Sequence, residues 1–122
     1  MDATVWASSE RRQLGVRVGA VNRTRYFSAS WRHIWVEMDG QMRQFNITPG
    51  FWNHCPEFRD GQDACIKTWL GRQGLLDWPK GQPPRLILHP LDGNRFRLAL
   101  GEERLSLARS GHPNTKKLAA SQ

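Results

Sequence analysis

Apolar and polar side chains alternate in two parts of the chain, and each part contains an Asp-Gly dipeptide. In the first part, two runs rich in aromatic and β-branched residues, 31–38 and 41–48, flank the dipeptide at 39–40. In the second part, leucines and a phenylalanine alternate with other side chains, mostly arginines, around the dipeptide at 92–93. Alternation with a period of two is typical of strands buried on one face, and Asp-Gly tolerates the positive φ angles of a hairpin turn. The sequence therefore predicts two β-hairpins.

The register of the first hairpin decides whether its tryptophans are buried. A two-residue turn would direct Trp31, His33 and Trp35 outward and bury Ile34 and Val36, whereas a three-residue loop would exchange the two faces. Because large aromatic side chains are highly buried on average, we favour the three-residue loop, which buries both tryptophans. Under the alternative register, Trp31, His33 and Trp35 would form an exposed aromatic interaction face.

The leucine pattern favours one register for the second β region. A three-residue loop that ends at Gly93 would place Leu88 opposite Phe96 and keep the leucines on one face. A type II′ turn at 101–102 would then add a third strand, with Leu107 also opposite Phe96. The opposite face of this meander is predicted to carry Arg85, Ile87, His89, Arg95, Arg97 and Arg104.

The other segments carry weaker patterns. Residues 1–10 are mostly small and polar, which predicts a flexible N-terminal arm. Alternating apolar residues predict a strand over 14–20, and a second strand is expected over 24–29. The segment 110–122 has no periodicity and contains two lysines, so we expect a disordered basic tail.

One short helix is predicted between the two β regions. Asp63 would cap its start and Gly74 would end it. Its buried stripe is predicted to consist of Cys65, Ile66, Trp69 and Leu70. So short a helix should be stable only when this stripe packs on a sheet.

These elements predict a single small α+β domain over residues 11–109. Most of its strands would be antiparallel, with N-terminal hairpins, a C-terminal meander and one short helix packed on the sheet. The chain has 122 residues, and its six tryptophans and five phenylalanines supply much of the apolar area for one core. The pattern leaves open whether the two β regions form one sheet.

The charge balance indicates a class of partner. Fourteen arginines and four lysines against eleven acidic residues give a net charge of +7 and a pI near 10.4. Arginine binds phosphate in a planar, bidentate manner, and a twisted sheet face can follow a phosphate backbone. We therefore expect a nucleic-acid-binding protein, for DNA or RNA, without catalytic activity. The expected phosphate-binding residues are Arg85, His89, Arg95, Arg97 and Arg104.

Two other functions fit the same residues. A protein-interaction or inhibitor module would use exposed tryptophan and arginine as anchors for an acidic protein partner. A small ribonuclease-like toxin would use His89 as an acid or base and Arg95 and Arg97 to stabilise the charge of the transition state. The sequence does not indicate an oligomeric state.

Several classes of site are not expected. His54, Cys55 and Cys65 lack the paired spacing of a zinc site, and no motif indicates a cofactor. Met1 is not followed by a basic and apolar leader, and no apolar run approaches the length of a membrane span. We therefore expect a cytoplasmic protein whose two cysteines stay reduced.

Overall fold

Seven strands form one sheet in the computed structural model, which describes residues 1–101. The strands are β1 (Asp2–Ala7), β2 (Leu14–Arg17), β3 (His33–Met38), β4 (Gln41–Asn46), β5 (Glu57–Arg59), β6 (Arg85–Pro90) and β7 (Arg95–Leu100). Three short helices connect them, α1 (Ala20–Tyr26), α2 (Pro49–Asn53) and α3 (Cys65–Arg72). The order across the sheet is β4-β3-β7-β6-β1-β2-β5, and only the β3–β7 pair is parallel among these strands. The prediction of a mostly antiparallel α+β domain is confirmed, although the described residues contain three short helices where one was expected.

The sheet curls almost into a barrel. Its edge strands β4 and β5 lie side by side, and the rings of Phe45 and Phe58 are 5.1 Å apart between them. Side chains that point inward from all seven strands form one core, which the helices complete. The two β regions therefore belong to one sheet, a point that the sequence pattern left open.

The N-terminal segment is a central strand, so the prediction of a flexible arm over residues 1–10 is wrong. Strand β1 pairs with β2 on one side and with β6 on the other, and Ala3 and Val5 are buried. The Met1 amine donates a hydrogen bond to the Leu88 carbonyl over 2.9 Å. Two inward side chains are enough here because both edges of the strand are hydrogen-bonded, one to the adjacent β2 and the other to β6, which is distant in the sequence.

Helix α1 replaces the strand that was expected over 24–29. Gly19, with φ 85°, turns the chain away from β2. The Asn22 side chain then donates a hydrogen bond to the Val18 carbonyl over 3.0 Å. The aromatic residues in this segment suggested a strand, but they pack against the core from the helix and the residue that follows it. The turn at Gly19 and this packing therefore override the local strand propensity.

Helix α3 is present, as predicted, but its cap is different. The carboxylate of Asp60, not of Asp63, accepts hydrogen bonds from the backbone N–H groups of Ile66 (2.6 Å) and Lys67 (2.9 Å). Burial raises the pKa of Asp60, although these two bonds act in the opposite direction. The predicted stripe is buried at Ile66, Trp69 and Leu70, while Cys65 is only partly buried.

The first hairpin has the two-residue turn, so the three-residue loop that we favoured is wrong. Met38 pairs with Gln41, and Asp39 and Gly40 adopt φ angles of 52° and 78°. Two positive φ angles match the twist of the flanking strands. This register buries the branched side chains of Ile34 and Val36 completely and turns the Trp35 side chain outward.

Trp31 does not follow the hairpin. It lies before β3, outside the paired residues, and is partly buried. Its ring packs edge-on against Phe27 (6.0 Å) and Phe96 (6.2 Å). Trp31 is therefore a core-covering residue and not part of an exposed aromatic face.

The second hairpin keeps the predicted faces but shifts the predicted pairing. Leu88 pairs with Leu98, not with Phe96, because the three-residue turn spans 92–94 rather than 91–93 and is enclosed by a hydrogen bond from the Leu91 N–H to the Arg95 carbonyl. A shift of two residues leaves every side chain on the same face, so the leucine face is buried as expected. The place opposite Phe96 that was predicted for Leu107 is held by Val36 of β3. Leu107, Arg104, the predicted domain limit at 109 and the predicted tail over 110–122 lie outside the described residues.

Candidate nucleic-acid interface

The parallel pairing of β3 with β7 brings together the two groups of candidate residues. Trp35 pairs with Arg95 and Glu37 with Arg97, and on the other side of β7 Arg97 pairs with His89 of β6. Directly paired residues share a face of a sheet. We call this outward surface the Trp35 face, and it consists of His33, Trp35, Glu37, His89, Arg95 and Arg97.

The aromatic part of the Trp35 face is an exposed indole. The side chain of Trp35 is 36% exposed, and the His33 ring meets it edge-on with centroids 6.0 Å apart and planes at 89°. Met42 of β4, also partly exposed, lies opposite Glu37 on the same side of the sheet. An exposed indole on a sheet is a surface on which a nucleobase can stack.

The basic part of the Trp35 face is partly neutralised by carboxylates. The Arg95 Nε lies 3.2 Å from Asp92 Oδ1, and the Arg97 Nε lies 3.6 Å from Glu37 Oε1. Each arginine side chain is about half exposed at 52%. A guanidinium has five N–H donors, so each arginine keeps donors for a phosphate.

Arg85 lies at the other end of β6. It pairs with Thr4, and Thr4 in turn pairs with Arg17, so these side chains share a second part of the outer surface. Arg85 already takes part in contacts within the chain. Four residues of a strand separate it from His89, a distance of about 13 Å. The structure therefore separates Arg85 from the other predicted phosphate-binding residues, and Arg104 lies outside the described residues.

The Trp35 face does not bring together a pair of groups for proton transfer. His89 and Glu37 flank Arg97 on the two neighbouring strands, so their backbones are two strand spacings apart, about 10 Å. His33 and Glu37 are four residues apart on one strand, about 13 Å. Acid–base catalysis needs partners within hydrogen-bond reach or one water apart.

A polar cleft of about 400 Å³ lies along the gap between β4 and β5. It contains the buried carboxylates of Glu57 and Asp60. Glu57 binds Arg59 over 2.7 Å and Arg17 over 3.4 Å, while Asp60 caps α3. These carboxylates are satisfied by groups of the chain itself, so the cleft offers a ligand few unoccupied charges.

The thiols and the candidate metal ligands do not converge. Cys55 and Cys65 are both free thiols, and burial raises the pKa of Cys65 to about 11. In the part of the chain that the structure describes, no three His, Cys, Asp or Glu side chains are placed to hold a metal ion. A thiol with so high a pKa stays protonated and reacts slowly.

Sequence reasoning missed the carboxylate partners of the two arginines. The outward position of Glu37 follows from its spacing of two residues from Trp35, but its place beside Arg97 depends on the parallel β3–β7 pair. Asp92 was interpreted only as a turn residue. A stack of Arg59 over Trp6, 4.2 Å from the ring centroid, was also unexpected because residues 1–10 gave no strand signal.

Comparisons with known proteins do not assign a class. No protein-family model, no curated protein and no solved structure matches the chain. Among residues 1–101, no helix has the length and apolar character that crossing a membrane requires. The residues of the Trp35 face are therefore the basis for a functional conclusion.

Proposed function

We propose that the protein binds single-stranded nucleic acid on the Trp35 face and has no catalytic activity. The observation that supports this proposal is the position of the exposed Trp35 indole directly beside Arg95 on the neighbouring strand. The indole would stack on a base, and Arg95 and Arg97 would bind the phosphates on either side.

The geometry favours a single strand over a duplex. Bases within a duplex are stacked on one another, so their faces are not available to Trp35, whereas an unpaired base presents its face. The face is also convex, because the sheet curls toward a barrel with its core inside. A flexible strand can follow such a surface with little deformation energy.

The charge of the whole chain supports the same class of ligand. A net charge of +7 attracts polyanions over a distance, even where single arginines have acidic neighbours. The proposed location is the cytoplasm, where RNA is present and where Cys55 and Cys65 would remain thiols.

Substitutions on the Trp35 face test this proposal. We expect Trp35→Ala to weaken binding of a short labelled oligonucleotide about 5- to 150-fold, because one stacked base is worth about 1 to 3 kcal/mol. We expect Arg95→Glu with Arg97→Glu to weaken binding and to lower the slope of log affinity against log salt by about 1.4, for two phosphate contacts on a single strand. The melting temperature of the arginine variant should change little, since half-exposed charged side chains contribute little to stability, and Trp35→Ala should stay folded because it opens no cavity in the core.

The matched control reverses two arginines away from the face. Arg12 lies in the β1–β2 loop and Arg25 on α1, and both are exposed. Arg12→Glu with Arg25→Glu changes the net charge equally. Because neither arginine belongs to the Trp35 face, this variant should keep most of the affinity and an unchanged salt slope. Equal losses in both double variants would show that only net charge matters and would contradict a specific face.

Two further results would contradict the proposal. Wild-type protein that binds neither DNA nor RNA oligonucleotides at low salt would exclude the nucleic-acid function, and Trp35 with Arg95 would then be tested as an anchor for an acidic protein partner. Cleavage of the RNA by wild-type protein, lost in His89→Ala, would favour the ribonuclease hypothesis instead.

A further inference from the structure

Each arginine of the Trp35 face has a carboxylate within 4 Å. Arg95 has Asp92, which precedes it by three residues across the β6–β7 loop, and Arg97 has Glu37 on the neighbouring strand. The two acids come from different elements. A ligand phosphate that approaches either guanidinium therefore meets a negative charge that is already in place.

The contribution of these ion pairs to folding is small. Both arginine side chains are about half exposed, and Asp92 is 82% exposed, so solvent screens the attraction. The repulsion between each carboxylate and an incoming phosphate acts at the same short range. The two acids therefore influence the affinity for anions more than they influence stability.

We propose that Glu37 and Asp92 limit phosphate binding on the Trp35 face, so that wild-type protein prefers ligands that also stack on Trp35 over ligands that offer only phosphates. The inference rests on the proposed function and adds two residues that determine specificity. A duplex gains only the phosphate contacts, which the acids weaken. A single strand gains the stacking energy as well.

The two acids differ in how easily they can move away. Asp92 lies in a loop and can turn its exposed side chain toward solvent when a phosphate binds. Glu37 is one third exposed and sits within β3, between Arg97 and Met42 of the adjacent strands. Glu37 therefore stays close to the phosphate position, and we expect it to have the larger effect.

The experiment compares Glu37→Gln, Asp92→Asn and the double variant with wild type. The probes are a single-stranded DNA oligonucleotide and a duplex that contains the same sequence, each measured at several salt concentrations. Removing a screened charge near a phosphate should strengthen binding about 2- to 5-fold per site, and the double variant should bind about 4- to 25-fold more tightly. Its salt slope should be steeper, and its duplex binding should be measurable at salt concentrations where that of wild type is not.

The controls remove the same charges elsewhere. Glu10 pairs with Arg12 in the β1–β2 loop, and Asp77 is exposed in the segment that Arg11 contacts through the Leu76 and Trp78 carbonyls. Glu10→Gln with Asp77→Asn gives the same change in net charge. Affinity gains confined to the Glu37 and Asp92 variants support the inference.

Other outcomes overturn it, and they separate it from the proposed function. If wild type binds the single strand and the Glu37 and Asp92 variants bind no more tightly, the inference is wrong and the nucleic-acid function stands. If the affinity of the control variant rises by the same factor, the effect is one of net charge and the inference is again wrong. If neither wild type nor the double variant binds any probe, both proposals are wrong.

Discussion

The two hairpins use the same Asp-Gly dipeptide and build different connections. In the β3–β4 hairpin the dipeptide forms the whole two-residue turn, and both Asp39 and Gly40 have positive φ. In the β6–β7 hairpin it belongs to a three-residue turn, 92–94, where Gly93 has a φ of 56° and Asp92 is not in the positive region. The dipeptide therefore permits a turn without defining its length.

Contacts with a third strand explain the difference. The Asn94 carbonyl accepts a hydrogen bond from the Trp35 N–H over 3.0 Å, and the Asn94 side chain donates to the His33 carbonyl over 3.1 Å. A two-residue turn would pair Asn94 with Leu91 and withdraw it from β3. At the tip of the first hairpin, Asp39 forms an exposed ion pair of 2.8 Å with the Arg72 side chain instead. The longer loop is thus part of the parallel β3–β7 junction.

The largest expected effect tests the register of the first hairpin. Ile34 is completely buried, so Ile34→Ala should lower the free energy of unfolding by about 2 to 5 kcal/mol through a cavity in the core. Trp35→Ala should cost less, about 1 to 2 kcal/mol, because the indole lies on the outer face with 36% of its surface exposed and its removal leaves no cavity in the core. Chemical denaturation of both variants gives the comparison. A larger loss for Trp35→Ala would mean that the hairpin has the other register.

An intermediate effect should distinguish the two aspartates. Valine is strained at positive φ, so Asp39→Val should be less stable than Asp39→Asn by about 1 to 2 kcal/mol. The asparagine variant serves as the reference because it removes the charge and tolerates the left-handed conformation. The same pair of substitutions at Asp92 should differ by less than about 0.5 kcal/mol. Equal differences at the two sites would show that the two loops share one backbone conformation.

The smallest expected effect concerns the junction of the second hairpin with β3. Asn94→Ala removes one partly buried hydrogen bond and should cost about 0.5 to 1.5 kcal/mol. Arg72→Ala removes the exposed ion pair at the tip of the first hairpin and should cost no more than about 0.5 to 1 kcal/mol. Amide exchange at Trp35 should also become faster in Asn94→Ala and stay unchanged in Arg72→Ala. Unchanged amide exchange at Trp35 in both variants would contradict the claim that Asn94 stabilises the contact between the second hairpin and β3.

Local patterns predicted the elements whose stability depends on nearby residues. The hairpins, the buried leucine face and the stripe of α3 all follow from alternation, turn residues and helical spacing. The failures occur where contacts that the local pattern does not specify decide the structure. Strand β1 is stabilised by β2 and β6, the cap of α3 comes from Asp60 at the end of β5, and the Trp35 register depends on which side chains fill the core.

The candidate site shows the same division. Alternation along each strand was enough to place His89, Arg95 and Arg97 together on one outward face, because neighbours two residues apart in a strand share a side. Sequence could not place Trp35 beside Arg95, since that contact needs a parallel pair between segments about sixty residues apart. Periodicity states which side of a strand is apolar but carries no information on which strands become neighbours. Only the packing of the whole chain decided that the indole, the two arginines and their carboxylates share one surface.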